Sequence, residues 1–111
     1  MGEKTVLLEY LGDSPAMRIM DFLLDNRLFD YSKKQIIEGA GIGKVTFYTY
    51  WPRLEKAGFV KATRKFGKTT LYKLNENNPV IEELKKIEFM LIKETAPKKM
   101  KIAVKSRRAA R

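Results

Sequence analysis

The apolar positions divide the chain into helical segments and one pair of strand-like runs. Residues 5–11, TVLLEYL, are ambiguous: Leu7, Tyr10 and Leu11 fit a helix, whereas Val6 and Leu8 fit a strand. Gly12-Asp13 interrupts the pattern, and Ser14-Pro15 then supplies a cap followed by a proline at a first helical position. From Pro15 to about Arg27, Met17, Met20, Leu23, Leu24 and Leu28 recur at helical spacing, with Ile19 and Phe22 widening the apolar face. This pattern predicts a first core helix. Ser32 caps a short helix from Lys33 to Glu38 that turns Ile36 and Ile37 inward. The run Gly39-Ala40-Gly41-Ile42-Gly43 predicts a tight turn, with a left-handed corner at Gly41 and Ala40 small enough for close helix crossing.

The helix after that corner carries Phe47, Trp51 and Leu54 on one stripe, with Tyr50 on its shoulder. Pro52 deletes a helical hydrogen bond at a cost of roughly 3 kcal/mol, so a kink or an end is expected there. Phe59–Thr63 and Thr69–Leu74 are rich in β-branched, aromatic and apolar residues and read as a hairpin. Arg64-Lys65-Phe66-Gly67-Lys68 forms its basic tip, with Gly67 at the turn and Phe66 expected to pack back, a wedge being the alternative. After a polar break, Asn78 caps and Pro79 begins a last helix, 79–94. Val80, Leu84, Ile87 and Leu91 recur along it as a coiled-coil-like seam, with Ile81, Phe89, Met90 and Ile92 around them. One terminal helix offers more apolar surface than a small domain buries, so the seam is expected to be a dimer interface.

Helix, tight turn, helix and basic hairpin is the order of a winged helix-turn-helix. The expected class is mainly α (α+β), with a two-stranded wing and a C-terminal dimerisation helix. In this motif the second helix enters the major groove of duplex DNA. Its face opposite Phe47, Trp51 and Leu54 carries Lys44, Val45, Tyr48 and Thr49, the candidate base readers. Lys44 can donate to guanine acceptors, and Val45 and the Thr49 methyl can meet a thymine methyl. Ser32, Lys33, Lys34, Thr46 and Arg53 are the candidate backbone contacts, and Arg64, Lys65 and Lys68 the wing contacts.

Charge sharpens this reading. The net charge of +10 over 111 residues is unevenly distributed. Residues 1–32 hold three basic and six acidic side chains, and residues 74–95 three basic and five acidic. Residues 33–73 hold ten basic and two acidic, and residues 96–111 seven basic and none acidic. Positive charge therefore gathers on the candidate reader and the tail, as a polyanion binder requires. The division expected is a domain over 1–95 and a disordered basic tail over 96–111 that serves as a DNA-binding arm. The chain has no cysteine and no histidine, which excludes thiolate or imidazole metal sites and His-based triads. No metal, cofactor or catalytic residue is expected. The first residues lack a basic segment followed by an apolar core, and no apolar run reaches membrane-span length, so a cytoplasmic protein without membrane contact is expected.

LGDSPAMRIMDFLL, GAGIGKVTFY and WPRLEKAGFVKATRKFGKTTLYKLNENNP, with the helix after them, resemble the small archaeal winged-helix transcriptional regulators, broadly of ArsR and MarR type. The resemblance implies a homodimer on pseudo-palindromic double-stranded DNA, with Lys44, Val45, Tyr48 and Thr49 as recognition positions and Arg64, Lys65 and Lys68 as the wing. Gly43 departs from it, standing where such motifs often carry a capping serine. The basic tail lies outside it and leaves open an architectural or plasmid-partition protein that spreads along DNA. A winged-helix protein-interaction module is a further alternative. No paired-carboxylate, phosphate-loop or nucleophile motif points to an enzyme.

Overall fold

The computed structural model describes residues 5–95. Five helices and one hairpin follow in the order α1 (Val6–Leu11), α2 (Pro15–Asp25), α3 (Lys33–Ala40), α4 (Lys44–Lys56), β1 (Val60–Phe66), β2 (Thr69–Leu74) and α5 (Pro79–Thr95). The fold is an α+β winged helix. The ambiguous first segment is helical, capped by Thr5, whose hydroxyl accepts from the Leu8 amide. The basic segment 96–111 and its proposed arm lie outside the described residues.

One apolar cluster ties the elements together. Ile19, Leu23 and Leu24 of α2 meet Ile36, Phe47, Trp51, Leu74 of β2 and Ile81 of α5, each 1% exposed or less. Burying each such side chain contributes about 1.5–3 kcal/mol. Trp51 stacks on Phe47 at 5.0 Å and meets the Tyr72 ring edge-on at 5.1 Å, so α4 is fastened to the wing base through aromatic contacts.

The turn forms as its residues dictate. Ser32 and Gln35 make a reciprocal capping box at the start of α3. Gly41 adopts the left-handed conformation at φ 68°, and its amide closes α3 onto Ile37 and Glu38 carbonyls. Arg18, ion-paired to Asp13, reaches across from α2 to the carbonyls of Ala40 and Gly41 and holds the corner. Gly39 has a different role from the turn expected of it. It is helical, and a Cβ there would fall 2.2 Å from the Phe22 ring, so its bareness is what lets α3 lie on α2.

Four further expectations are corrected in whole or in part. Leu28, placed in the core stripe by its spacing, is 82% exposed because α2 stops at Asp25 and the chain leaves helical phase. Of the kink or end expected at Pro52, the end does not occur: the helix runs on to Lys56 with Pro52 on the exposed side, where water can serve the freed carbonyl. The tip is shorter than expected, since Arg64, Lys65 and Phe66 belong to β1 and only Gly67-Lys68 turns. Phe66 is 62% exposed instead of packing back, because β1 outruns the core and no element faces its end.

The wing has an added edge. Tyr31, read as part of a linker, forms a two-hydrogen-bond antiparallel bridge with Tyr72. The β1–β2 register shifts between Ala62 and Arg64, a bulge that changes the direction of the outer hairpin. On α5, Asn78 caps as expected, accepting from the Val80 amide at 2.8 Å. Ile81 is the deepest residue, and Leu84 and Leu91 pack against the chain's own core. Val80 and Ile87 lie a step further round and are exposed. The heptad-like spacing therefore straddles a buried stripe and an exposed one.

Candidate nucleic-acid interface

Helix α4 is amphipathic about a sharp line. Phe47, Trp51 and Leu54 are buried, while Lys44, Val45, Tyr48 and Thr49 are all exposed, Val45 at 82%. The apolar stripe fixes which way the helix is rolled, so that Val45 and Thr49 fall opposite it and Lys44 and Tyr48 on its flank. Thr49 donates its hydroxyl to the Val45 carbonyl at 3.0 Å, which leaves its methyl outward. The Tyr48 ring meets Phe47 edge-on at 5.0 Å, so a buried residue orients an exposed one.

The flanking cations are positioned from α3 and α4. Lys33 is half-buried, with its ammonium 5.6 Å from the ring centres of both Tyr48 and Tyr72. It thereby links α3, the outer face of α4 and the wing base. Lys34 is exposed beside it. Arg53 is exposed and lies over the Tyr50 ring at 5.1 Å. Thr46 is half-buried, and the Ser32 hydroxyl oxygen is occupied in the cap of α3. Gly43 caps α4 without a side-chain bond, so the first amides of the helix have no acceptor from that side chain.

The wing is less uniform than its sequence suggests. Lys65 and Lys68 are exposed and form no ion pair among the described residues. Arg64 is held instead by a two-pronged bond to Asp30, 2.9 Å from Nε and 3.1 Å from Nη2. Thr63 donates to the same carboxylate. These hydrogen bonds, that of Arg64 foremost, pull the Asp30 carboxyl down to about 2. Asp30 thus ties the outer hairpin to the α2–α3 connection. Nothing local announces it, since the partners are far apart in sequence and only the fold joins them.

One further cluster lies away from this face. Asp21 and Asp25 of α2 and Glu88 of α5 bring carboxylate oxygens within 4.8 Å of one another. Asp21 is buried, and its Oδ1 has no hydrogen-bond partner among the described residues. Burial raises its pKa, and burial together with Asp25 raises Glu88 to about 6. An all-oxygen set of this kind is what a hard divalent cation would use. No helix among the described residues is long and apolar enough to cross a membrane.

The arrangement is a winged-helix domain whose second helix presents a solvent-facing side next to a cationic hairpin. No family model and no curated protein matches the chain. Two solved structures are similar to it. NadR, solved in complex with 4-hydroxyphenylacetate, superposes at a TM-score of 0.64 over 88% of this chain and 67% of its own, with 19% identity. A double mutant of Lactococcus lactis ZitR in its apo form superposes at 0.58, over 82% of this chain and 68% of its own, with 13% identity. Both likenesses are of fold.

Proposed function

We propose that the chain is a double-stranded DNA-binding transcriptional regulator that acts as a homodimer. The observation that carries this reading is the outer side of α4: four polar or small apolar side chains held in solvent by a fully buried opposite stripe, beside a cationic wing. An α-helix so presented fits the major groove, and Lys65 and Lys68 fit the adjoining backbone or minor groove. The likeness to the winged-helix regulators NadR and ZitR supports it, as does the concentration of positive charge in residues 33–73. Lys44, Val45, Tyr48 and Thr49 read bases. Lys33, Lys34, Thr46 and Arg53 approach phosphates, and Ser32 does so only through the hydroxyl proton its cap leaves free.

The dimer rests on α1 and α5. Tyr10 and Leu11 are exposed on α1, and Val80, Ile87 and Met90 on α5, which packs against α1. Exposed apolar groups of this number favour a self-complementary contact about a two-fold axis. Leu84 and Leu91 back that surface from the protein's own core.

Selection of bound sequences from a random duplex pool tests the reading. A regulator enriches a discrete, pseudo-palindromic site bound at least about a thousandfold more tightly than random duplex. Enrichment of nothing, with no duplex binding at physiological salt, would discard it. A footprint that lengthens with protein concentration would assign the chain to the spreading, architectural class.

A further inference from the structure

The exposed aromatic ring at the end of the wing is unexplained by phosphate binding. Phe66 stands two residues, roughly 7 Å, beyond the Arg64–Leu71 pair where the buried part of the hairpin ends. It is 62% exposed. Its neighbours in the tip are Lys65 and Lys68, which have no ion-pair partner among the described residues. Exposed large apolar side chains between free cations are unfavourable in water but suited to a surface that is anionic outside and stacked inside.

The ring is also held in place. Gly67 takes φ 58° at the first position of a two-residue turn, the geometry that closes a hairpin tightly. Phe66 pairs with Thr69 directly across that turn. On the same side of β1, the Arg64 guanidinium lies 5.0 Å from the ring centre. Arg64 is itself clamped by Asp30. A chain of contacts from the α2–α3 connection through Asp30 and Arg64 thus fixes an apolar group at the furthest point of the wing. Ordering it before contact lowers the entropy lost on insertion.

We propose that Phe66 is a wedge that enters the minor groove beside the α4 site and opens a flexible pyrimidine–purine step, bending the duplex. This inference rests on the duplex-DNA reading above. Apolar side chains flanked by lysine or arginine unstack base steps from the minor groove in this way, and TA and CA/TG steps yield most readily. The wing therefore adds sequence preference at a position where it makes no hydrogen bond to a base.

The test uses the full chain with doubly fluorophore-labelled duplexes taken from the selection. One set carries a TA step walked along the flank of the site, and the other a stiff A-tract there. Energy transfer reports the bend and titration the affinity. The wild type bends the TA duplex by roughly 20° or more when the step reaches the wing position. Phe66→Ala removes the bend and weakens that duplex about fivefold or more, fivefold being the lower end of an aromatic–base stack. Phe66→Leu keeps part of the bend. In all three proteins the salt dependence is the same, since no charge changes, and the melting temperature is unchanged. An equal bend and affinity in Phe66→Ala, with binding intact, overturns the wedge and leaves the DNA reading standing. Loss of the dimer in Phe66→Ala overturns the wedge and places the ring between copies of the chain. Absence of duplex binding by the wild type removes the DNA reading and the wedge together.

Discussion

The wing offers a charge-balanced experiment. Lys65 and Lys68 form no ion pair among the described residues, whereas Arg64 is held by Asp30. Each phosphate neutralised by a free cation contributes about 0.9 to the slope of log affinity against log salt. Lys65→Gln/Lys68→Gln should therefore lower the slope by about 1.8. Between roughly 50 and 200 mM salt, the variant should lose about twelvefold less affinity than the wild type. The comparison is Asp30→Asn/Arg64→Gln, which removes a pair of opposite charges and leaves the net charge as it was. If Arg64 serves the fold, its slope should fall by less than about 0.5; if it serves a phosphate, by nearly 1. The assay is fluorescence anisotropy of a labelled duplex across a salt series, with melting curves to confirm folding. A slope unchanged by loss of both lysines would refute wing contact with the backbone. A drop of about one unit in the Asp30/Arg64 variant would refute the clamp as the reason for Arg64.

Other outcomes follow from the same geometry. Thr49→Val should alter the selected sequence while stability stays within about 0.5 kcal/mol, because the side chain is exposed, and Tyr48→Ala should alter it at a cost of about 1 kcal/mol for its contacts with Phe47 and Lys33. Trp51→Ala should lose about 3–5 kcal/mol in denaturant unfolding, since the ring is 1% exposed and stacked on Phe47. Gly39→Ala should cost about 1–3 kcal/mol through the clash with Phe22, and Phe22→Leu should recover part of it in the double variant. Glu88 is held at about 6 in the fold against 4.5 outside it, so it binds its proton more tightly when folded. Its stabilisation is present below pH 4.5 and is lost as pH rises through 6, about 1 kcal/mol after solvent screening, and Glu88→Gln should flatten that part of the profile. Asp30 acts in the opposite sense: its contribution is present above pH 3.8 and lost as pH falls toward 2.

What the chain reveals before folding is what its neighbours in sequence decide. Ser32 with Gln35, the Phe47–Trp51–Leu54 stripe, the left-handed corner at Gly41 and the turn at Gly67 are local choices, and each forms as its residue type requires. The outer face of α4 follows from that stripe, so the exposure of Lys44, Val45, Tyr48 and Thr49 was legible as a set. The remainder depends on contacts across the fold. Gly39 looks like a turn residue until Phe22 is laid against it. Arg64 looks like a free cation until Asp30 arrives from the α2–α3 connection. Leu28 continues a helical spacing that the chain abandons after Asp25. The seam on α5 shows the limit of periodicity: Leu84 and Leu91 go inward and Val80 and Ile87 outward, because Ile81 sets the roll of the helix. Asp21 is a buried acid inside an apolar pattern, and the fold brings Glu88 of α5 to it and to its helix neighbour Asp25.

The central claim is that one side of α4 and the end of the wing touch a duplex at the same time. Amide chemical shifts of isotope-labelled protein, followed as the selected duplex is added, test it most directly. The expected changes gather at Lys44–Thr49 and at Arg64–Lys68, with α1 and α5 little affected. Changes confined to α1 and α5, or none at saturating duplex, would contradict it.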